Sequence, residues 1–121
     1  MSRSNLDIFD KEFFIPLTHQ DRFRVQFKTR PDERPTYSIQ LECQFEPEDQ
    51  WYAVIRADDF HDRPHLDILS PSGEKKKVWL SDRMDNKMNM KEAKWLLSES
   101  WEKERQRYEQ QLEQYRQPLN E

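Results

Sequence analysis

The hydrophobic pattern of this chain changes its period once, and that change constrains the fold more than any other feature. Before residue 80, short segments alternate between apolar and polar residues, which is typical of strands with one buried face. From about residue 90, apolar residues recur at spacings of three, four and seven, as in an amphipathic helix. The sequence therefore predicts an α+β fold, in which a long C-terminal helix covers one face of an antiparallel β-meander of about five strands.

The strand pattern occurs in five segments, at residues 22–28, 37–45, 51–58, 65–69 and 75–80. We expect one domain over residues 1–121, with the sheet at about 22–80 and the helix at about 90–117. The inward positions of these segments predict a single core. Its members should be Phe23, Val25, Phe27, Ile39, Leu41, Ile55, Ile68, Leu96, Leu97 and Trp101.

Charge and glycine content argue against several classes of function. The formal net charge is −4, which does not indicate a globally basic nucleic-acid-binding protein. The chain has one glycine, Gly73, whereas the phosphate-binding loops of P-loop, Rossmann and kinase proteins need several. We therefore expect none of these nucleotide-binding classes.

The sequence features that bear on location favour a reducing compartment. Cys43 is the one cysteine, so no internal disulfide can form. The N-terminal residues lack the apolar region of a signal peptide, and no run approaches the ~20 apolar residues of a membrane helix. We expect a cytoplasmic protein without membrane association.

Chemically reactive side chains concentrate in one predicted hairpin, at residues 51–69. If its two strands pair around the loop between them, Asp58 lies opposite His65 and Arg56 lies opposite Asp67. The same register brings the apolar residues of both strands together on the other face, as a core requires. The hairpin therefore predicts a cluster of polar groups on one face of the sheet.

Residue chemistry alone leaves two main interpretations of this cluster open. In the structural one, the two opposite-charge pairs fix the strand register and contribute roughly 0.2–1 kcal/mol each. In the functional one, the pairs join His61 and Asp59 or Asp62 in a small pocket. A histidine with a carboxylate partner moves protons, and an arginine holds a phosphate with two hydrogen bonds, which suits a metal-independent ribonuclease. The predicted catalytic residues are Arg56, Asp58, His61, His65 and Asp67.

A metal site is a third interpretation. His61, His65 and Asp67 offer two imidazoles and a carboxylate, which zinc and manganese accept. The local pattern supplies no fourth ligand, and Pro64 lies in the loop between the histidines. We therefore expect no metal and no other cofactor.

The hairpin resembles the core of a group of small uncharacterised prokaryotic domains, over residues 51–79. The shared pattern is Trp51-x-x-Val54-x-Arg56-x-Asp58-x-x-His61-x-x-x-His65-x-Asp67. The chain is also similar to small toxins of the TumE type, which have an Arg-x-Asp strand followed by a histidine-rich loop. It departs from the domain pattern with Ala57 in place of tyrosine and Asp62 in place of glycine. The resemblance implies a bacterial or archaeal protein from a toxin–antitoxin or defence setting, with no established chemistry.

Basic residues on two predicted strands suggest an RNA-binding face, by contacts to phosphates. The alternative is a solvated outer face, since lysines on edge strands also prevent aggregation. The predicted RNA-binding residues are Arg22, Arg24, Lys28, Lys75, Lys76 and Lys77.

Aromatic residues recur every seven positions along the predicted helix. The helix is longer than a five-stranded sheet is wide, so its second half has no evident packing partner in the chain. Exposed aromatic stripes often mark interfaces, which predicts partner binding through Trp101, Tyr108, Leu112 and Tyr115.

Two functional hypotheses follow from these features. The first is a small toxin-like prokaryotic protein that acts on RNA through the polar cluster. The second is a non-catalytic module whose helix binds an antitoxin, a subunit of a larger complex or a second copy of the chain.

Overall fold

The chain folds, in a computed structural model, into one antiparallel sheet and one long helix. The structure describes residues 11–30, 33–59, 64–80 and 90–116. The elements in chain order are β1 (Lys11–Thr18), β2 (Asp21–Arg30), β3 (Glu33–Cys43), β4 (Tyr52–Asp58), β5 (His65–Leu69), β6 (Lys75–Trp79) and α1 (Met90–Arg116). Each strand pairs with the next along the chain, so the sheet is a meander. This confirms the predicted fold class.

The sheet has one strand more than the sequence pattern predicts. The sequence indicates only that Phe13, Phe14 and Ile15 pack at the sheet edge, because three consecutive apolar residues show no alternation. In the structure these residues lie in β1, which pairs with β2 along its length. Pro16 is compatible with this strand because an edge strand needs ladder hydrogen bonds on one side only.

The core lies between the sheet and the helix, where α1 packs on the central strands β3 and β4. Alternate residues of the strands point toward the helix, and most of the predicted core is buried or packed against it. Leu96 is an exception, since it is half-buried and lies outside this core. The buried residues are Phe23, Val25, Tyr37, Ile39, Leu41, Cys43, Phe45, Val54, Ile55, Ala57, Ala93, Leu97, Tyr108 and Leu112.

A β-bulge in β4 explains why Val54 and Ile55 are both buried although they are adjacent. The β3–β4 register shifts at this point, with Leu41 opposite Ile55 and Glu42 opposite Ala53, so Val54 has no opposite residue in β3. The Val54 carbonyl instead accepts a hydrogen bond from Arg107 Nη2 of α1, at 3.1 Å. The bulge thus provides an attachment point for the helix.

The second half of α1 is docked on the sheet, so the prediction that it lacks packing partners is wrong. Arg107 also donates to the carbonyl of Leu69 at the end of β5. Arg105 Nε lies 2.6 Å from Asp21 Oδ1, and Arg105 Nη2 donates to the Gln44 carbonyl at 2.9 Å. Two arginines therefore satisfy backbone carbonyls of the strands and hold the helix against the sheet.

No helix within the described ranges is long and apolar enough to cross a bilayer.

Truncating the core should destabilise the fold strongly. Ile55 and Leu97 are 2% and 0% exposed, so replacing either with alanine should lower the free energy of unfolding by about 2–5 kcal/mol, because a cavity is left behind. Denaturant titration measures this change. Trp95→Ala is the matched control, since Trp95 is exposed on the same helix and its loss should cost about 0.5 kcal/mol or less. A loss below about 1 kcal/mol at both core positions would contradict the face assignment.

Candidate functional site

The predicted hairpin register is the one that the structure has. Asp58 lies opposite His65 and Arg56 opposite Asp67, while Ile55 faces Ile68 on the other side. The sheet therefore carries its apolar residues toward α1 and these four polar residues on the opposite face. We call Arg56, Asp58, His65 and Asp67 the His65 cluster, and the face that bears it the polar face.

The imidazole of His65 lies between two carboxylates. His65 Nε2 is 3.1 Å from Asp58 Oδ1 and 3.6 Å from Asp67 Oδ2. All three side chains are almost completely buried, although they are on the face that α1 does not cover. Trp79 of β6 packs against the imidazole in an edge-on arrangement, with ring centroids 5.4 Å apart. The cluster is therefore a partly desolvated site in which ionic contacts are stronger than at the surface.

Arg56 joins the two carboxylates to the neighbouring strand. Its Nη2 donates to Asp67 Oδ2 at 3.2 Å, and its Nη1 donates to Gln40 Oε1 at 3.2 Å. Its Nε lies 3.5 Å from Asp58 Oδ2, an ion-pair distance, but makes no hydrogen bond. Asp67 Oδ1 also has no hydrogen-bond partner although it is buried. The cluster thus combines close charge pairing with incomplete hydrogen bonding, and a bound group could complete those bonds.

Of the loop residues that the sequence adds to this site, Asp59 lies within the described ranges. Asp59 Oδ1 accepts a hydrogen bond at 2.9 Å from the backbone N–H of Tyr37, which fixes the end of β4 to β3. Asp59 therefore has a structural role at this strand end. His61 and Asp62 lie outside the described residues.

The basic residues predicted to bind RNA do not form one surface. Arg22 and Arg24 lie on β2, whereas the three lysines lie on β6, four strand spacings or ~19 Å away. Arg22 pairs with Glu42 at 2.9 Å, and its guanidinium lies over the Trp51 ring. Arg24 pairs with Glu12 at 2.8 Å. Both arginines are thus already engaged by carboxylates.

The network of ion pairs on the polar face is close to neutral as a result. Three arginines lie in contact with four carboxylates, namely Glu12, Glu42, Asp58 and Asp67, so this network carries a charge of −1 while His65 is neutral. Lys28 also lies on β2, where its backbone is opposite that of Thr36 in β3. Among the described side chains, the positive charge nearest the cluster that has no carboxylate partner is on the lysines of β6.

Strand β6 supplies two lysines and an aromatic residue beside the cluster. In the sheet register Lys77 lies opposite Asp67 and Trp79 opposite His65. Lys75 and Lys77 share the polar face, whereas Lys76 alternates to the other face. Trp79 is not among the residues that the sequence predicts for this site. Its position in the sequence could have indicated it. Trp79 is two residues after Lys77, and residues two apart on a strand lie on the same face.

The four predicted partner-binding residues separate into buried and exposed positions. Tyr108 and Leu112 belong to the core, and Trp101 is packed against it. Tyr108 stacks on Phe45 at a centroid distance of 5.6 Å. Tyr115 remains 63% exposed. Tyr108 and Leu112 are therefore held inside the monomer.

Cys43 does not offer a reactive thiol. It is fully buried, and burial together with a hydrogen bond to Asp21 raises the pKa of its thiol far above the usual range. Because the thiolate is the nucleophilic form, Cys43 is inert in the folded protein.

Comparison with family models assigns the chain to a family. A model described as "Domain of unknown function (DUF7718)" matches residues 8–114, which is nearly the whole chain. The protein therefore belongs to this family. The match includes the segment that resembles the uncharacterised prokaryotic domains. Comparisons with curated proteins and with solved structures gave no significant match.

Proposed function

We propose that this protein is a small toxin-like ribonuclease that cleaves RNA at the His65 cluster. The observation that carries the proposal is the contact between Asp58 Oδ1 and His65 Nε2 at 3.1 Å, with Arg56 beside both carboxylates. A histidine oriented by a carboxylate moves protons, and a guanidinium binds phosphate oxygens. The RNA cleaved by such a site carries its own nucleophile, the 2′-hydroxyl.

The imidazole would act through its second ring nitrogen. When Nε2–H is held by Asp58, the lone pair of the neutral imidazole is on Nδ1. Nδ1 accepts the proton of the 2′-hydroxyl as the 2′-oxygen attacks the adjacent phosphorus and forms the new P–O bond. The bond from phosphorus to the 5′-oxygen breaks, and the leaving oxygen takes the proton back from the imidazolium. The products are a 2′,3′-cyclic phosphate and a 5′-hydroxyl.

The carboxylates and the arginine have distinct roles in this scheme. Asp58 and Asp67 stabilise the imidazolium that exists between the two proton transfers. Arg56 neutralises the charge that grows on the phosphate oxygens. The Arg56 side chain is 30% exposed, whereas the His65 side chain is 5% exposed, so Arg56 contacts the phosphate first. RNA must displace the side chains that cover the imidazole before proton transfer can occur.

Strand β6 would bind the RNA next to the cluster. Lys75 and Lys77 would contact phosphates, and Trp79 would stack on a base, as in sheets that bind single-stranded nucleic acid. The ion-paired arginines of the polar face would add little electrostatic attraction. Single-stranded RNA therefore fits the proposal better than a duplex, because its bases are available for stacking.

Product analysis of the purified full chain tests the proposed reaction. We expect cleavage of single-stranded RNA in EDTA, with a 2′,3′-cyclic phosphate at the new end. Replacing the 2′-hydroxyl at the cleaved step with hydrogen should stop cleavage at that step only. Absence of cleavage in every RNA tested, or cleavage of the 2′-deoxy step, would contradict the proposal.

Salt dependence of RNA binding tests the role of β6. Lys75→Gln with Lys77→Gln should weaken binding and reduce the salt slope by about 1.4, because two contacts to single-strand phosphates are lost. Lys76→Gln is the matched control, since this residue faces the other side of the strand, and it should leave the slope unchanged. Equal effects of the double variant and the control would show that RNA does not bind along this face.

Growth after induced expression in a bacterial host tests the toxin-like role. The wild-type chain should arrest growth, and His65→Gln should not. Unimpaired growth with the wild type present at high level would leave an RNA-processing role and reject the toxin role.

Partner binding through α1 is the second candidate function. Tyr115 is the residue that supports it, because Tyr108 and Leu112 are buried in the core and Trp101 packs against it. Tyr115 is the exposed one among the four predicted positions. A partner or antitoxin would therefore contact the C-terminal end of α1, and Tyr115→Ala should weaken its binding without affecting RNA cleavage.

A further inference from the structure

We propose that Asp58, His65 and Asp67 form a binding site for a divalent transition-metal ion such as Mn²⁺ or Zn²⁺. Each residue presents one ligand atom, and the three atoms lie within 4.8 Å of one another. The set combines one imidazole nitrogen with two carboxylate oxygens, which such ions accept more readily than Ca²⁺ or Mg²⁺ do. This proposal goes beyond the proposed ribonuclease function and does not require it.

The spacing of the ligand atoms fits an ion between them. A metal–ligand distance of ~2.1 Å gives neighbouring ligands ~3.0–3.4 Å apart in octahedral or tetrahedral coordination. His65 Nε2 is 3.1 Å from Asp58 Oδ1 and 3.6 Å from Asp67 Oδ2. Two of the three ligand pairs therefore have separations close to those of ligands that share an ion, and the third is no more than 4.8 Å apart.

An independent observation supports the site. Asp67 is 2% exposed, and its Oδ1 has no hydrogen-bond partner. A buried carboxylate oxygen without a partner destabilises the fold, because it has lost its hydrogen bonds to water and has formed no others. A cation bound to this carboxylate would remove that cost.

Arg56 is the internal competitor of the cation. Its Nη2 donates to Asp67 Oδ2, and its Nε lies 3.5 Å from Asp58 Oδ2. Arg56 thus neutralises part of the negative charge of the two carboxylates that would bind the metal. Removal of the Arg56 charge should strengthen cation binding, whereas it would weaken an anion site at the same place. Arg56→Gln therefore separates the two kinds of ligand.

Occupation of the site has a consequence that does rest on the proposed function. A metal on Nε2 leaves the imidazole proton on Nδ1, which removes the basic lone pair that would accept the 2′-hydroxyl proton. Bound Mn²⁺ should therefore slow RNA cleavage. Binding itself is measured without RNA, so its failure and the failure of the ribonuclease proposal are distinguishable.

Titration of the metal-free full chain with Mn²⁺, followed by the loss of the free-ion electron paramagnetic resonance signal, tests the proposal. We expect one saturable ion per chain. Asp67→Asn should weaken binding by about tenfold or more, and Arg56→Gln should tighten it by a similar factor. Glu12→Gln removes a carboxylate of the polar face outside the site and should change nothing.

Circular dichroism checks that each variant is folded, and His65→Gln replaces Asp67→Asn if the latter does not fold. The proposal is overturned if neither wild type nor Arg56→Gln binds Mn²⁺ saturably below about 1 mM. It is also overturned if the folded ligand variants bind as tightly as the wild type, or if Arg56→Gln weakens binding.

Discussion

Replacing Tyr108 with alanine should lower the free energy of unfolding by about 3–5 kcal/mol. Tyr108 is 4% exposed, stacks on Phe45 and lies 5.9 Å from the Tyr52 ring, so its loss opens a cavity at the junction of helix and sheet. Burial also raises the pKa of its hydroxyl, as expected for an enclosed phenol. Chemical denaturation of the variant and the wild type measures the difference.

Tyr115→Ala is the matched control for this prediction. Tyr115 lies two turns further along the same helix and is 63% exposed, so its loss should cost about 0.5 kcal/mol or less. Similar stabilities for both variants would mean that the C-terminal half of α1 is not part of the core. The helix-docking account would then be wrong.

The register of the central hairpin could be predicted because two requirements agree there. Ile55 and Ile68 must both face the core, and a shift of one strand by one residue would turn its apolar residues to the other face. Pairing of the two strands around the loop between them then brings Asp58 opposite His65. The candidate site was predictable to the same extent as the register, whereas the side-chain distances within it were not.

The docking of α1 could not be predicted from its hydrophobic pattern. The second half of the helix is mostly charged, and its attachment depends on Arg105 and Arg107, which donate to backbone carbonyls of the strands. The Val54 carbonyl has no opposite residue in β3 only because β4 contains a bulge, and no residue type in that segment specifies a bulge. Such contacts follow from backbone geometry.

The ion pairing of Arg22 and Arg24 could not be predicted for a different reason. The alternation of β2 correctly puts Arg22 and Arg24 on the outer face, but their charge depends on what the neighbouring strands present. Glu12 comes from β1, which had no recognisable strand pattern, and Glu42 comes from β3. A charge run on one strand therefore predicts a binding face only after the adjacent strands are aligned.

The second large effect concerns RNA cleavage, and it follows from the proposed role of His65 in proton transfer. His65→Gln should reduce the rate of RNA cleavage by about 10²–10⁴-fold, because the glutamine cannot take up the 2′-hydroxyl proton. Asp58→Asn should also reduce the rate, since the imidazolium loses its carboxylate partner. The double variant should be no slower than His65→Gln alone, because the two residues act as a unit. Glu48→Gln, in an exposed ion pair with Arg116, is the control and should retain the wild-type rate.

The rate of RNA cleavage by the folded Asp58→Asn, His65→Gln double variant tests the central claim most directly. Circular dichroism and cooperative unfolding establish that the variant is folded before its rate is compared with that of the wild type. If the His65 cluster is the catalytic site, the folded variant has lost about 10²–10⁴-fold in rate. If the folded variant cleaves RNA at the wild-type rate, the pair only fixes the strand register and the cluster is not catalytic.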